Sequence, residues 1–426
     1  NTGWMHGDIK GAFLSDTDAT NVSVSNNLVS NGTFDSNING WSNRSSTGNF
    51  TYSSGTLQAT GSSSWQTTNF TQNYNFIPGD TYYITWTMTG ASARGIIDYS
   101  NGTFAPTTGA NYYYPNAGTY TVRYTPNTAT PDLAFVFNNT VANTGTLDNV
   151  SIIRADQDRS VNAKGLQVFG TITKSAVATG ADLVAYSGFS ASNQLGNIGS
   201  YNFGSGSTVS MCIVSWFKTT SISTYAYILS VYNSTTNEVA GLAINSTVSS
   251  SPHPAGTLYT YDHNTGQTSG TTVVNNGQWH CAIGIFNGAT REIYLDGKLE
   301  ISTTYNSFAL DLTNVNKLGV ARYTLNDTFP FLGSLALTRI SKSIPSPEQI
   351  KKMYEDEKCL FQENAKATLY GSSDAVTALA FDDTTELLHV GTSAGRSEFQ
   401  GLRRINNTTT AVTTAISASN GFVAEQ

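Results

Sequence analysis

Residues 277–298 read GQWHCAIGIFNGATREIYLDGK, and this stretch limits the possible folds more than any other. Trp279, Cys281, Gly284 and Phe286 mark one β-rich run, and Ile293, Tyr294 and Leu295 a second. Asn287-Gly288 lies between the runs and Asp296-Gly297 closes the second. Both dipeptides favour tight turns, so the stretch predicts an antiparallel hairpin within one sheet of a sandwich.

The rest of the chain agrees with an all-β reading. Of 426 residues only 12% are charged, while the chain holds 22 Tyr, 20 Phe and 38 Gly. Aromatic and β-branched residues punctuated by glycine suit pleated sheets with a neutral polar surface. At this length two to four domains are expected. The net charge of −7 argues against nucleic acid as a partner, since phosphate recognition needs clustered Lys and Arg. No apolar run is long enough to cross a bilayer, so membrane insertion is not expected. No signal peptide is read, and a start at Asn1 rather than Met suggests a processed product or a piece of a longer chain. Cys212, Cys281 and Cys359 do not form a disulfide framework. Cys212 and Cys281 read as small buried hydrophobes, with a bridge between them as the alternative.

Residues 186–345 hold the hairpin, with Thr208-Val-Ser-Met-Cys-Ile-Val-Ser-Trp216 before it and Phe331-Leu-Gly-Ser-Leu-Ala-Leu-Thr-Arg-Ile after it. In that order these pieces resemble a laminin-G-like (concanavalin A-like) jelly roll. Trp216, Trp279 and His280 are expected to be structural, and Asp296 to cap a turn. The same fold serves glucanases that use paired carboxylates, but Glu292 and Glu300 flank the hairpin as surface charges and no such pair is evident.

Residues 26–155 open with NNLVSNGTFDSNINGWS and close with GTLDNVSI, with short strands such as YYITWTM at 82–88 between them. They resemble jelly-roll carbohydrate-binding modules. That resemblance implies a structural calcium where the two ends meet, with Asp35 and Asp148 as its carboxylates; the alternative is that both satisfy turn backbone groups. Sugars present apolar C–H faces ringed by hydroxyls, which flat aromatic rings match. Trp65, Tyr99, Tyr112, Tyr113 and Tyr114 are the binding candidates, while Trp41 and Trp86 read as core. Strand alternation forbids all of Tyr112–Tyr114 from facing the core, so an exposed ring or a protomer contact is expected there.

Around the two tandem sandwiches lie four smaller pieces. Residues 1–25 and 367–426 resemble β-propeller blades, the latter through LHVGTSAG at 388–395. Residues 156–185 read as a connector. Residues 346–366 are the one helix, with Ser346 as N-cap and Pro347 at its first position. The stretches DRSVNAKGLQVFGTITKSAVATGADLVAYSGFSASN and YEDEKCLFQENAKATLYGSSDAVTALAFDDTTELLHVGTSAGRSEFQGLRR resemble structural proteins of tailed bacteriophages. The resemblance implies a tail-fibre or tail-associated virion protein, homo-oligomeric and packed against other virion subunits, that presents lectin-like jelly rolls to host surface polysaccharide. The alternatives are a purely structural virion module without a glycan ligand, and a bacterial adhesin or polysaccharide depolymerase. The five histidines show no metal-ligand spacing, though His253 and His263 share one loop region; no nucleophile elbow or phosphate loop occurs, so a non-enzymatic role is expected.

Overall fold

The computed structural model describes residues 7–44, 49–60, 65–70, 75–105, 111–138, 145–221, 225–245, 254–306, 309–372 and 375–426, with backbone alone for 60 and 65–70. The chain is all-β with one α-helix among the described residues. A first sandwich stacks a five-stranded on a six-stranded sheet, and a second stacks nine strands on seven.

The expected hairpin is present. His280–Asn287 pairs with Thr290–Leu295, which pairs in turn with Lys298–Thr304. Asp296 and Gly297 both have positive φ, 51° and 77°, as the tightest hairpin turn requires. Asp296 Oδ1 accepts from the Cys281 amide at 2.8 Å and Oδ2 bonds His280 Nδ1 at 2.8 Å, so both residues are structural. Cys212 and Cys281 are buried free thiols, and burial pushes the Cys212 thiol up to about 12.

The N-terminal segment departs from expectation. Ile9–Phe13, read as part of a propeller blade, pairs antiparallel with Ser334–Ser341 in the nine-stranded sheet. Val22–Ser23 pairs with Thr171–Ala176 of the presumed connector. Gln167–Phe169 joins the seven-stranded sheet, and Val184–Ser187 the nine-stranded one. The second sandwich therefore begins near residue 9, and the first is inserted into it. Burial decides this: Phe13, Leu14 and Ile172 lie fully inside the second core, where the apolar alternation of IKGAFL finds a partner that a lone blade lacks. The C-terminal piece does form a four-stranded antiparallel meander, Val376–Asp382 through Arg403–Asn407, followed by a two-stranded hairpin.

The helix spans Pro347–Lys358, shorter than the 346–366 expected, and passes into a 3-10 turn at Cys359–Phe361. Ser346 and Gln349 form the capping box at its start. Asn364 at φ 58° turns the chain away beyond it. The helix packs on the outside of the nine-stranded sheet, where Trp216 stacks on Tyr354 at 5.6 Å and on Phe361 at 4.2 Å.

Asp156 sits where the inserted sandwich rejoins the second. It is 6% exposed, its Oδ1 accepts from the Tyr186 hydroxyl at 3.0 Å, and its Oδ2 has no hydrogen-bond partner among the described residues. Burial raises its carboxyl to about 6, against the opposing pull of the Tyr186 hydrogen bond and Lys174. Between the unfolded value of 3.8 and about 6 the native state holds a proton that the unfolded chain has released. The stability from that proton is complete below pH 3.8 and is lost as pH rises through about 6. Asp156→Asn is therefore expected to stabilise the fold by about 2 kcal/mol at pH 7.5 and hardly at all at pH 4. Thermal unfolding at the two pH values checks this, and an equal effect at both would rule out burial as the cause.

Candidate functional site

The five-stranded sheet of the first sandwich runs in the order Tyr112–Tyr113, Ala93–Asp98, Leu133–Asn138, Trp65–Phe70, Trp41–Asn43. Its inner face carries Ile96, Leu133, Phe135, Phe137 and Trp41, which meet Trp86 in the core. The edge strand bearing the tyrosines is seated by Gly95 at φ 142°, where a Cβ would lie 2.1 Å from the Tyr113 carbonyl oxygen. A side chain at 95 would push the tyrosine strand off the sheet.

Alternation then separates the three tyrosines. Tyr113, paired with Ile96, turns inward and packs edge-on against Trp86 at 6.2 Å. Tyr112 and Tyr114 take the outer side and stack on each other at 4.6 Å with planes 26° apart. Burial, with Tyr99 and Tyr112 close by, pushes the Tyr114 hydroxyl up to about 12, so it stays a neutral donor and acceptor. Tyr99 is 43% exposed, and its amide bonds the Asp132 carbonyl at 3.0 Å. The Arg44 guanidinium lies 3.8 Å above the Tyr99 ring and pairs with Asp132 at 2.6 Å.

Three of the five aromatic candidates, Tyr99, Tyr112 and Tyr114, thus share one surface. Tyr113 does not belong to it, because its place on the strand faces the core. Trp65 lies in Trp65–Phe70 with its backbone opposite Asn138, and its side chain lies outside the described residues. Arg44 and Asp132 were not anticipated: a lone Arg in a loop and an Asp after Pro131 carry no motif, and only the fold brings them to Tyr99. Trp41 and Trp86 are core, as read from the sequence.

Asp35 accepts from the Thr33 hydroxyl at 2.9 Å, and Asp148 from the Asn149 amide at 2.7 Å. The segments bearing them are joined by the Val150 amide, which donates to the Gly32 carbonyl at 2.8 Å, so the two ends of the sandwich do lie together. Among the described residues no three His, Cys, Asp or Glu side chains gather as a metal-binding group. His253 lies outside the described residues.

Stacked rings, a phenol hydroxyl and an arginine–carboxylate pair on one sheet face can hold a flat polyhydroxylated ligand by ring contact and hydrogen bonds. No paired carboxylates stand among them to act as acid and base.

No curated protein matches the sequence. Among solved structures, domain 4 of the extracellular arabinanase AbnA from Geobacillus stearothermophilus is similar at 15% identity and TM-score 0.36, over 46% of this chain and 92% of that one. The CBM40 of the Ruminococcus gnavus IT-sialidase is similar at 17% identity and TM-score 0.29, over 36% and 84%. The binding domain of botulinum neurotoxin serotype G is similar at 11% identity and TM-score 0.35, over 60% and 61%. Residues 191–351 match the family model described as the concanavalin A-like lectin/glucanases superfamily, so the second sandwich is a concanavalin A-like, laminin-G-like jelly roll.

Proposed function

We propose that this chain is a lectin-like protein that binds carbohydrate on the outer face of the first sandwich's five-stranded sheet. The observation that carries the reading is the stacked pair Tyr112 and Tyr114 beside Tyr99 and Arg44, a neutral aromatic surface with hydrogen-bonding groups at its rim. The match of residues 191–351 to a superfamily of lectins and glucanases supports carbohydrate as the ligand class. The phage-like stretches that open at Asp158 and Tyr354 support a virion setting: a homo-oligomeric tail component that displays the site to host surface polysaccharide without cleaving it. Weak sites repeated in an oligomer gain avidity without any new contact.

The proposal includes a structural calcium between the Asp35 and Asp148 segments, where carboxylates and turn carbonyls supply the hard oxygen ligands it needs. Chelation should then lower the melting temperature of the first sandwich by several degrees, and added calcium should restore it. An unchanged melting curve would remove calcium from the proposal.

The functional test is binding of the intact chain to purified host surface polysaccharide and to a glycan array, with product analysis for released oligosaccharide. Saturable binding without release supports the reading. Release of fragments would favour a depolymerase, and no binding by the folded chain would favour a purely structural virion role.

A further inference from the structure

The C-terminal segment repeats itself. Thr377-Ala-Leu-Ala-Phe381 returns as Thr414-Ala-Ile-Ser-Ala418, and each is followed by a turn and a second strand. Both copies pair in the same way. Leu379 and Phe381 lie opposite Val390 and Leu388 in the meander, and Ile416 and Ala418 lie opposite Glu425 and Val423 in the hairpin. These four positions make the front of each unit. Alternation puts Ala380, Asp382, His389 and Gly391 on the back of the meander, and Ser417, Ser419, Phe422 and Ala424 on the back of the hairpin.

Inside the chain the two units stack front to back, the hairpin's front on the meander's back. A Cβ at Gly391 would fall 2.7 Å from Val412 Cγ1 and 3.0 Å from Ile416 Cδ1, so a side chain there would hold the units apart. The Gly421 amide donates to Asp382 Oδ2 at 2.6 Å, and Arg396, opposite Gly391, pairs with Glu425 at 3.1 Å.

That stacking leaves two surfaces over. The meander's front is apolar and open along Val376–Asp382, where Leu379 is 61% and Phe381 59% exposed. This strand also ends its sheet, and an apolar edge without Lys or Pro is poised to meet another chain. Between the front and the segment after the helix runs a groove of about 350 Å³, lined by Leu360, Leu369, Leu379, Leu388, Val390 and Phe399. The back of the hairpin has the opposite relief: small, exposed Ser417, Ser419 and Ala424 surround one large ring, Phe422, 81% exposed. Apolar surface gathered in this way marks a contact.

We propose that the front of the meander takes the back of the hairpin of a second copy of this chain, with Phe422 seated in the groove. The occupant follows from the stacking already present. Front on back is how the chain joins its own two units, and the contact continues that arrangement from one chain to the next. The two surfaces differ, so the association is head-to-tail and either closes as a ring or runs on as a fibre. The inference rests on the reading of the chain as a homo-oligomer and supplies the surface that joins its subunits.

The test is sedimentation velocity and light scattering on the full chain from low to high micromolar concentration, with Phe422→Asp and Leu379→Asp as single variants. The unsubstituted chain should assemble with concentration, and each variant should weaken assembly about a hundredfold by placing a carboxylate in the apolar contact. Both side chains are exposed within one chain, so the melting temperature should hold; Phe381→Ser tests the same face if Leu379→Asp lowers it. Mixing the two variants is decisive. The Phe422→Asp chain keeps its groove and the Leu379→Asp chain keeps its ring, so the mixture should form dimers and nothing larger. A mixture that stays monomeric, or assembly lost in Leu379→Asp but kept in Phe422→Asp, would overturn the hairpin as the occupant. Assembly that survives both substitutions discards this interface and leaves the homo-oligomer standing. A monomeric unsubstituted chain discards both. Carbohydrate binding per chain, measured on the same variants, should be unchanged throughout, which keeps the lectin-like reading separate.

Discussion

Glu357→Ala is expected to destabilise the second sandwich by about 3–5 kcal/mol, since it leaves a buried cation without its partner. Glu357 projects from the last turn of the helix and is 0% exposed, and the Arg339 side chain opposite it is 1% exposed. The carboxylate takes a bidentate pair of contacts from Arg339, Nη1 to Oε1 and Nη2 to Oε2, the latter at 2.9 Å, and Trp216 Nε1 donates to Oε2 at 2.7 Å. Burial alone would lower the Arg339 pKa, but contact with the Glu357 carboxylate outweighs it and the net shift is upward. Removing Glu357 takes away the contact that favours the Arg339 charge and leaves burial opposing it, and the indole N–H loses its acceptor. Glu357→Gln keeps the shape and one acceptor, so its cost should be smaller. Replacing the pair together, Glu357→Leu with Arg339→Met, should recover most of the loss, because well-packed apolar residues are a fair substitute for a buried pair. Hydrogen exchange over Ser210–Lys218 and Ser334–Ser341, the strands beneath the helix, reports the change locally. Exchange in Glu357→Ala within about 1 kcal/mol of the unsubstituted chain would mean that the ring stacking of Trp216 on Tyr354 and Phe361 holds the helix by itself.

That network also shows where sequence reading stops. The helix start was legible, because Ser346 and Pro347 are local signals and the cap geometry follows from them. Ile350 and Met353 follow the apolar period and are buried. Glu357 follows no pattern: on a helix with mean solvent exposure it reads as one more surface acid, and only the Arg339 strand turns it into a core residue. Arg291 repeats the lesson within the hairpin itself, buried against Asp262 at 2.8 Å in a stretch whose apolar alternation was otherwise read correctly. The N-terminal strand failed for a different reason. Ile9 pairs with Ser341, more than three hundred residues away, and alternation says that a strand exists without saying which sheet takes it. The same holds for a cluster of six tyrosines in the second sandwich. Tyr225, Tyr227 and Tyr232, then Tyr259 and Tyr261, then Tyr323 lie on three separated stretches, so no window of sequence contains the cluster they make.

The first sandwich gives the sharpest functional prediction because its three consecutive tyrosines divide between two faces. Tyr112→Ala with Tyr114→Ala is expected to weaken carbohydrate binding about a hundredfold. Each ring contact should be worth roughly 1–2 kcal/mol through apolar burial and stacking, and about 1.4 kcal/mol is a factor of ten. Their outer position means the fold should tolerate the change with little loss of stability. Tyr113→Ala should do the opposite. It removes a ring packed on Trp86 and Tyr120, at 6.2 and 5.9 Å, and should cost about 2–3 kcal/mol of stability while leaving affinity intact below the melting transition. Arg44→Ala should fall between the two. It uncovers the Tyr99 ring and breaks the pair with Asp132, removing hydrogen-bond donors without disturbing the core. Paired calorimetric titration and thermal unfolding of the three variants separate the two axes. If Tyr113→Ala lost affinity and the Tyr112/Tyr114 double variant lost only stability, the binding surface would lie on the other side of the sheet from the one proposed. Equal affinity in all three would remove this face from the carbohydrate site altogether.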